Sequence, residues 1–160
     1  CNMDKTPYTD IIELVLALMK SYELDEIYDD AMQNSEDEDD SSGNKAMILF
    51  FLPYFKYASG ELQIAGSSID TTRDDEKMSF STLLTDGEQL MFAKYILIGY
   101  LQKETFDILQ MRLHLQDGDF KTFAEKNNLE AKLNALNTLK DEISWNVTRS
   151  GYHANEKVWG

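Results

Sequence analysis

TDGEQLMFAKYILIGYLQK, residues 85–103, is the stretch around which the rest of the chain is organised. Thr85 and Glu88 have capping-box spacing: the threonine oxygen can accept the amide proton three residues on while the glutamate reaches back to the cap's own amide. Asp86 and Glu88 place negative charge at the positive end of the helix dipole. From Leu90 to Leu101 the apolar residues run nearly all the way round, so the helix must be covered on several sides. Lys94 and Gly99 interrupt it and it is short for a bilayer, so the cover must be protein, either the chain's own core or another subunit.

Composition sets the outer bounds. A chain of 160 residues with 42% apolar and 11% aromatic content can bury a real core, and one domain is expected. The excess of 29 acidic over 15 basic residues gives a formal charge of −14. Such a surface argues against nonspecific nucleic-acid binding, which relies on clustered Lys and Arg. Cys1 is the single cysteine, which excludes an internal disulfide and thiolate metal clusters. Three readings of Cys1 stand open: a remnant ahead of a start at Met3, an acylated lipoprotein terminus, or an N-terminal nucleophile.

Toward the N-terminus, Thr6-Pro7 reads as a cap followed by proline at the first helical position. A first helix to about Ser21 carries Tyr8, Ile11, Ile12, Val15, Leu18, Met19 and Tyr22 on one face. Leu14 and Leu16 lie off that stripe, available either to the core or to a partner's surface. Residues 29–44, DDAMQNSEDEDDSSGN, hold seven acids, among them Glu36, Asp37, Glu38, Asp39 and Asp40, and are expected to form a solvated acidic loop. A calcium loop fails there, because counting from Gly43 as the turn glycine puts Leu49 where the bidentate glutamate belongs. KAMILFFLPYFKY, residues 45–57, is a second apolar helix that Pro53 should kink or end. Glu61–Ala65 and Met78–Leu84 read as the strands of a hairpin joined by a long loop over 66–77.

Beyond the central helix, FDILQMRLHLQDGDF fits both a half-buried strand and a helix, and the residue types tilt the reading toward helix or an irregular turn after it. Asp117-Gly118-Asp119 should break that element. A last long helix, about Leu129 to Val147, carries Leu136, Leu139 and Ile143 on a narrow seam suited to one neighbouring helix, within the domain or across a subunit boundary. Past Gly151 an extended tail is expected. His114 and His153 stand without metal-ligand spacing, and no nucleophile-elbow, P-loop or dinucleotide pattern occurs, so no catalytic residue, cofactor or metal site is assigned.

The run FDILQMRLHLQDGDFKTFAEKNNL (106–129), with the opening MDKTPYTDIIELVLALMKSYEL and the FFLPYF run, resembles small structural proteins of tailed bacteriophages. In those proteins a similar run, of the kind QMxLHLQDxDFKxFxExxNL, sits in mid-chain before a long C-terminal helix. The resemblance spans Met3 to about Tyr152, while the acidic stretches 35–43 and 70–77 are longer than the family's pattern. It implies a non-enzymatic head-to-tail connector, adaptor or neck subunit of the virion, assembled in the host cytoplasm. Implied partners are copies of itself in a ring and portal or tail/neck proteins, with DNA at most passing through and not bound specifically, and no membrane.

The expected fold is therefore mainly α: a helical, bundle-like core over 1–153 with a small antiparallel β-hairpin, acidic loops at 29–44 and 66–77, a long C-terminal helix and an extended tail over 154–160. Leu14, Leu16, Leu136, Leu139 and Ile143 are the candidate subunit-interface residues. The alternative function is a secreted or lipid-anchored acidic binding domain beginning at Cys1.

Overall fold

The computed structural model describes residues 4–24, 26–29 and 44–159. It is mainly helical, with one small antiparallel sheet among the described residues and a long C-terminal helix. The acidic run Glu36–Asp40 lies outside the described residues. The chain forms two compact units, 1–100 and 101–160, and the boundary falls inside a continuous helix.

In the first unit, helix α1 spans Tyr8–Ser21 and buries Tyr8, Ile11, Ile12, Val15 and Met19, the face that the three- and four-residue spacing predicts. It closes by a Schellman arrangement. Glu23 adopts φ 58°, its amide donates to the Lys20 carbonyl at 3.2 Å, and the Leu24 amide donates to that of Met19 at 2.8 Å.

Helix α2, Asn44–Ile64, runs straight on in sequence through Pro53. The lost donor at Pro53 would have served the Leu49 carbonyl, and both residues are exposed, so water can satisfy that oxygen. The run therefore continues past the point where the sequence alone allowed it to end. Residues 61–64 belong to this helix, which corrects the hairpin expected to start there.

The sheet instead pairs β1, Arg73–Asp74, with β2, Ser79–Phe80, in the register Arg73 to Phe80 and Asp74 to Ser79. Thr6 does not cap α1, which corrects the N-terminal reading. Fully buried, it docks the N-terminal segment against β2: its amide donates to the Thr82 carbonyl at 3.1 Å, its carbonyl accepts from Phe80 at 2.8 Å, and its Oγ1 accepts from the Leu84 amide at 2.7 Å. These bonds give otherwise unpaired strand-edge groups their partners.

Helix α3, Asp86–Gln110, has the predicted capping box. Glu88 Oε1 accepts from the Thr85 amide at 3.0 Å, and Thr85 Oγ1 accepts from the Glu88 amide at 3.2 Å. From Phe92 to Leu101 every residue but Lys94 is buried. The core of the first unit is aromatic. Tyr8 lies 4.6 Å from Phe55 and 5.4 Å from Phe80, and Phe92 meets Phe80 edge-on at 5.1 Å. Gly99 lets α2 approach closely, since a β-carbon there would stand 2.6 Å from Tyr57 Cδ1.

In the second unit α3 ends at Gln110 and a 3-10 turn, Met111–Leu113, follows. Asp117-Gly118-Asp119 opens helix α4, Asp117–Lys126, and does not merely break what precedes it. Two carboxylates in a first turn favour the helix dipole, a start signal that the turn-like composition hid. Phe120 is buried under the Arg112 guanidinium, 4.7 Å from its ring centroid. Helix α5 spans Leu129–Trp159, so the backbone after Gly151 is helical where an extended tail was expected.

Candidate functional site

The sequence-derived interface residues separate into two groups. Leu136, Leu139 and Ile143 are buried within the chain, at 6%, 0% and 6% exposure. Their seam is thus already covered, which removes them as candidates for a subunit contact. Lys132, one turn earlier, is equally buried and pairs with Glu104 at 3.4 Å. Leu14 and Leu16 remain half-exposed, and Leu14 lines a shallow cleft of about 260 Å³ with Asp10, Glu13, Asp86 and Gln89.

The surface that sequence reasoning missed lies at the end of α3. Phe106, Leu109 and Leu113 are 60%, 39% and 78% exposed, three and four residues apart on consecutive turns, while Thr105 and Ile108, each immediately before one of them, are buried. The alternation in FDILQMRLHL fits a strand with Leu109 and Leu113 inward as well as the helix toward which the residue types tilt, and the segment is helical to Gln110 with a 3-10 turn after it. In the helical geometry the inward positions fall on 105 and 108, and those leucines turn outward. Of the other strongly exposed apolar residues among the described ones, Leu49 and Ile64 stand fifteen residues apart on α2 and Leu83 lies in the segment before α3, so they form no such series.

Charge divides along the same line. Residues 1–100 hold seven basic and twenty acidic residues, net −13, whereas residues 101–160 hold eight basic and nine acidic, net −1. The apolar stripe therefore belongs to the nearly neutral unit.

In the first unit a second feature joins α2 to the hairpin. Lys56, Ser59, Gly60 and Gln63 from α2 face Thr71, Thr72, Arg73 and Asp75 across a cleft of about 490 Å³. Arg73 Nη1 donates to Ser59 Oγ at 2.7 Å and to the Thr71 carbonyl at 3.3 Å, tying hairpin to helix. Asp75 Oδ1 accepts from the Tyr8 hydroxyl at 2.6 Å and lies 3.8 Å from Arg73 Nε. Burial, then the bond to Asp75, push the Tyr8 phenol far above its usual range. At the hairpin's foot, Asp70 takes bonds from Thr72 that hold its carboxyl below the usual range.

Among the described residues no group of His, Cys, Asp and Glu could hold a metal ion, and no helix is long and apolar enough to cross a membrane. No family model, curated protein or solved structure matches the chain.

Proposed function

We propose that the chain is a non-enzymatic virion structural protein, a connector, adaptor or neck ring subunit at the head-to-tail junction of a tailed bacteriophage. In this reading copies associate through the second unit and stack against portal or tail neighbours. The observation that carries it is the exposed stripe Phe106, Leu109 and Leu113, which falls inside the run that resembles phage structural proteins. Contiguous apolar surface of this kind marks interaction sites, and a ring requires such a patch on every copy.

The occupant of the stripe is a second copy of this chain. A contact through the net −1 unit brings copies together with little mutual repulsion, which the net −13 unit would oppose. The same acidic unit, turned to a DNA conduit, repels phosphate and lets the duplex slide.

Light scattering and electron microscopy of the purified chain test this. Closed rings are expected at high protein concentration. Leu113→Asp should leave the melting temperature within about 2 °C, because the residue is exposed, and should return the protein to monomers. A wild-type chain that stays monomeric at every concentration, with none of it in purified phage particles, sinks the proposal.

A further inference from the structure

We propose that the cleft between α2 and the β1–β2 hairpin binds an oxyanion, the phosphoryl or carboxylate group of a small ligand. This stands independently of the ring assignment. Its lining carries two cations, Lys56 and Arg73, against one carboxylate, Asp75, a local positive excess inside a unit of net charge −13.

The guanidinium is only partly used. Nη1 is committed to Ser59 and Thr71, which fixes the side chain in place. Nε is buried and has no hydrogen-bond partner among the described residues. Asp75 Oδ1 lies 3.8 Å from it, beyond bonding distance, and the Tyr8 hydroxyl holds that same oxygen at 2.6 Å. The Nε edge of an arginine is one of the two faces that offer paired donors to an oxyanion. An anion entering here would displace the Asp75 carboxylate from beside Nε, a group 57% exposed and held on its other side by the Tyr8 hydroxyl.

Lys56, exposed on the cleft wall and in no ion pair among the described residues, supplies a second positive charge. The Gln63 amide and the Thr71 hydroxyl add neutral donors. The neighbouring acids do not close the site. Asp70 accepts from the Thr72 amide at 3.0 Å, and Asp74 accepts from the Glu76 amide at 3.0 Å. Asp70 is exposed and Asp74, at the end of β1, is half-buried, and both carboxylates make these bonds at the solvent-facing side, where salt screens their fields within about 8 Å.

The test is an NMR titration of the full chain with inorganic phosphate and, separately, with succinate, at ionic strength held constant by chloride. Saturable shifts are expected at the amides of Gly60, Thr71 and Thr72, with a dissociation constant on the order of 1 mM. Lys56→Ala should weaken binding about threefold, and Lys20→Ala, a surface control on α1, should leave it unchanged. Asp75→Asn should tighten it by removing the competing charge. Tyr8→Phe should weaken it by releasing Asp75 toward Arg73. Tighter binding of phosphate assigns a phosphoryl ligand, and tighter binding of succinate a carboxylate. Absence of saturation with both anions overturns the proposal, as does equal weakening by Lys56→Ala and Lys20→Ala.

Discussion

The Tyr8 hydroxyl donates a 2.6 Å hydrogen bond to Asp75 Oδ1 across 67 residues of sequence, joining the first turn of α1 to the tip of the hairpin. Thr6 makes the same connection through the backbone two residues earlier, so the start of the chain and the hairpin are fastened twice. The ring of Tyr8 is also the centre of the aromatic core, touching Phe55 and Phe80. One side chain thus couples packing in the interior to the charge arrangement at the cleft.

That coupling predicts alkaline sensitivity. The folded Tyr8 phenol titrates far above its ordinary value of 10.0. Above pH 10 the unfolded chain has lost this proton and the folded chain keeps it, so stability is fully present below pH 10 and falls as pH rises beyond it. Each such group contributes a slope of at most about 1.4 kcal/mol per pH unit, and burial raises Tyr57 and Tyr95 in the same direction. Urea unfolding across the alkaline range should show the decline. Tyr8→Phe should cost about 1–2 kcal/mol at pH 7 and flatten it. A slope unchanged in Tyr8→Phe would mean that other groups carry the effect.

Gly99→Ala should destabilise by about 1–3 kcal/mol, since the new methyl group would lie 2.6 Å from Tyr57 Cδ1. Thermal unfolding of Gly99→Ala with and without Tyr57→Leu checks the cause. Trimming the ring should recover part of the loss, and strict additivity would place the strain elsewhere.

Glu23→Gly should stabilise the chain by roughly 0.5–1 kcal/mol. Glu23 holds φ 58° to close α1, a conformation that costs a residue with a β-carbon about 1 kcal/mol and glycine almost nothing. A lower midpoint in denaturant would show that the glutamate side chain has a compensating role.

Leu139→Asp separates folding from assembly when set beside Leu113→Asp. Leu139 is fully buried, so an unpaired carboxylate there should cost several kcal/mol and unfold the second unit, seen as lost helical circular dichroism. Leu113→Asp should leave that signal intact. Equal signals from both variants would mean that the seam is open to solvent.

The sequence by itself determined the elements whose signals are local. The Thr85–Glu88 capping box, the three- and four-residue spacing of α1, and the all-round apolar run of Phe92–Leu101 each state their structure within a few residues, because hydrogen bonds and burial there are made within one helix turn or on one helix face. Tertiary structure alone decided three other matters. Pro53 stays inside a helix at a point where it and Leu49, whose carbonyl loses its donor, are both exposed, which depends on how α2 is buried. Thr6 is a docking residue and not a cap because β2, more than 70 residues away, offers it better partners. The seam of Leu136, Leu139 and Ile143 is closed while the stripe of Phe106, Leu109 and Leu113 is open. Periodicity reports that a face is apolar; what covers that face is fixed only when distant segments meet.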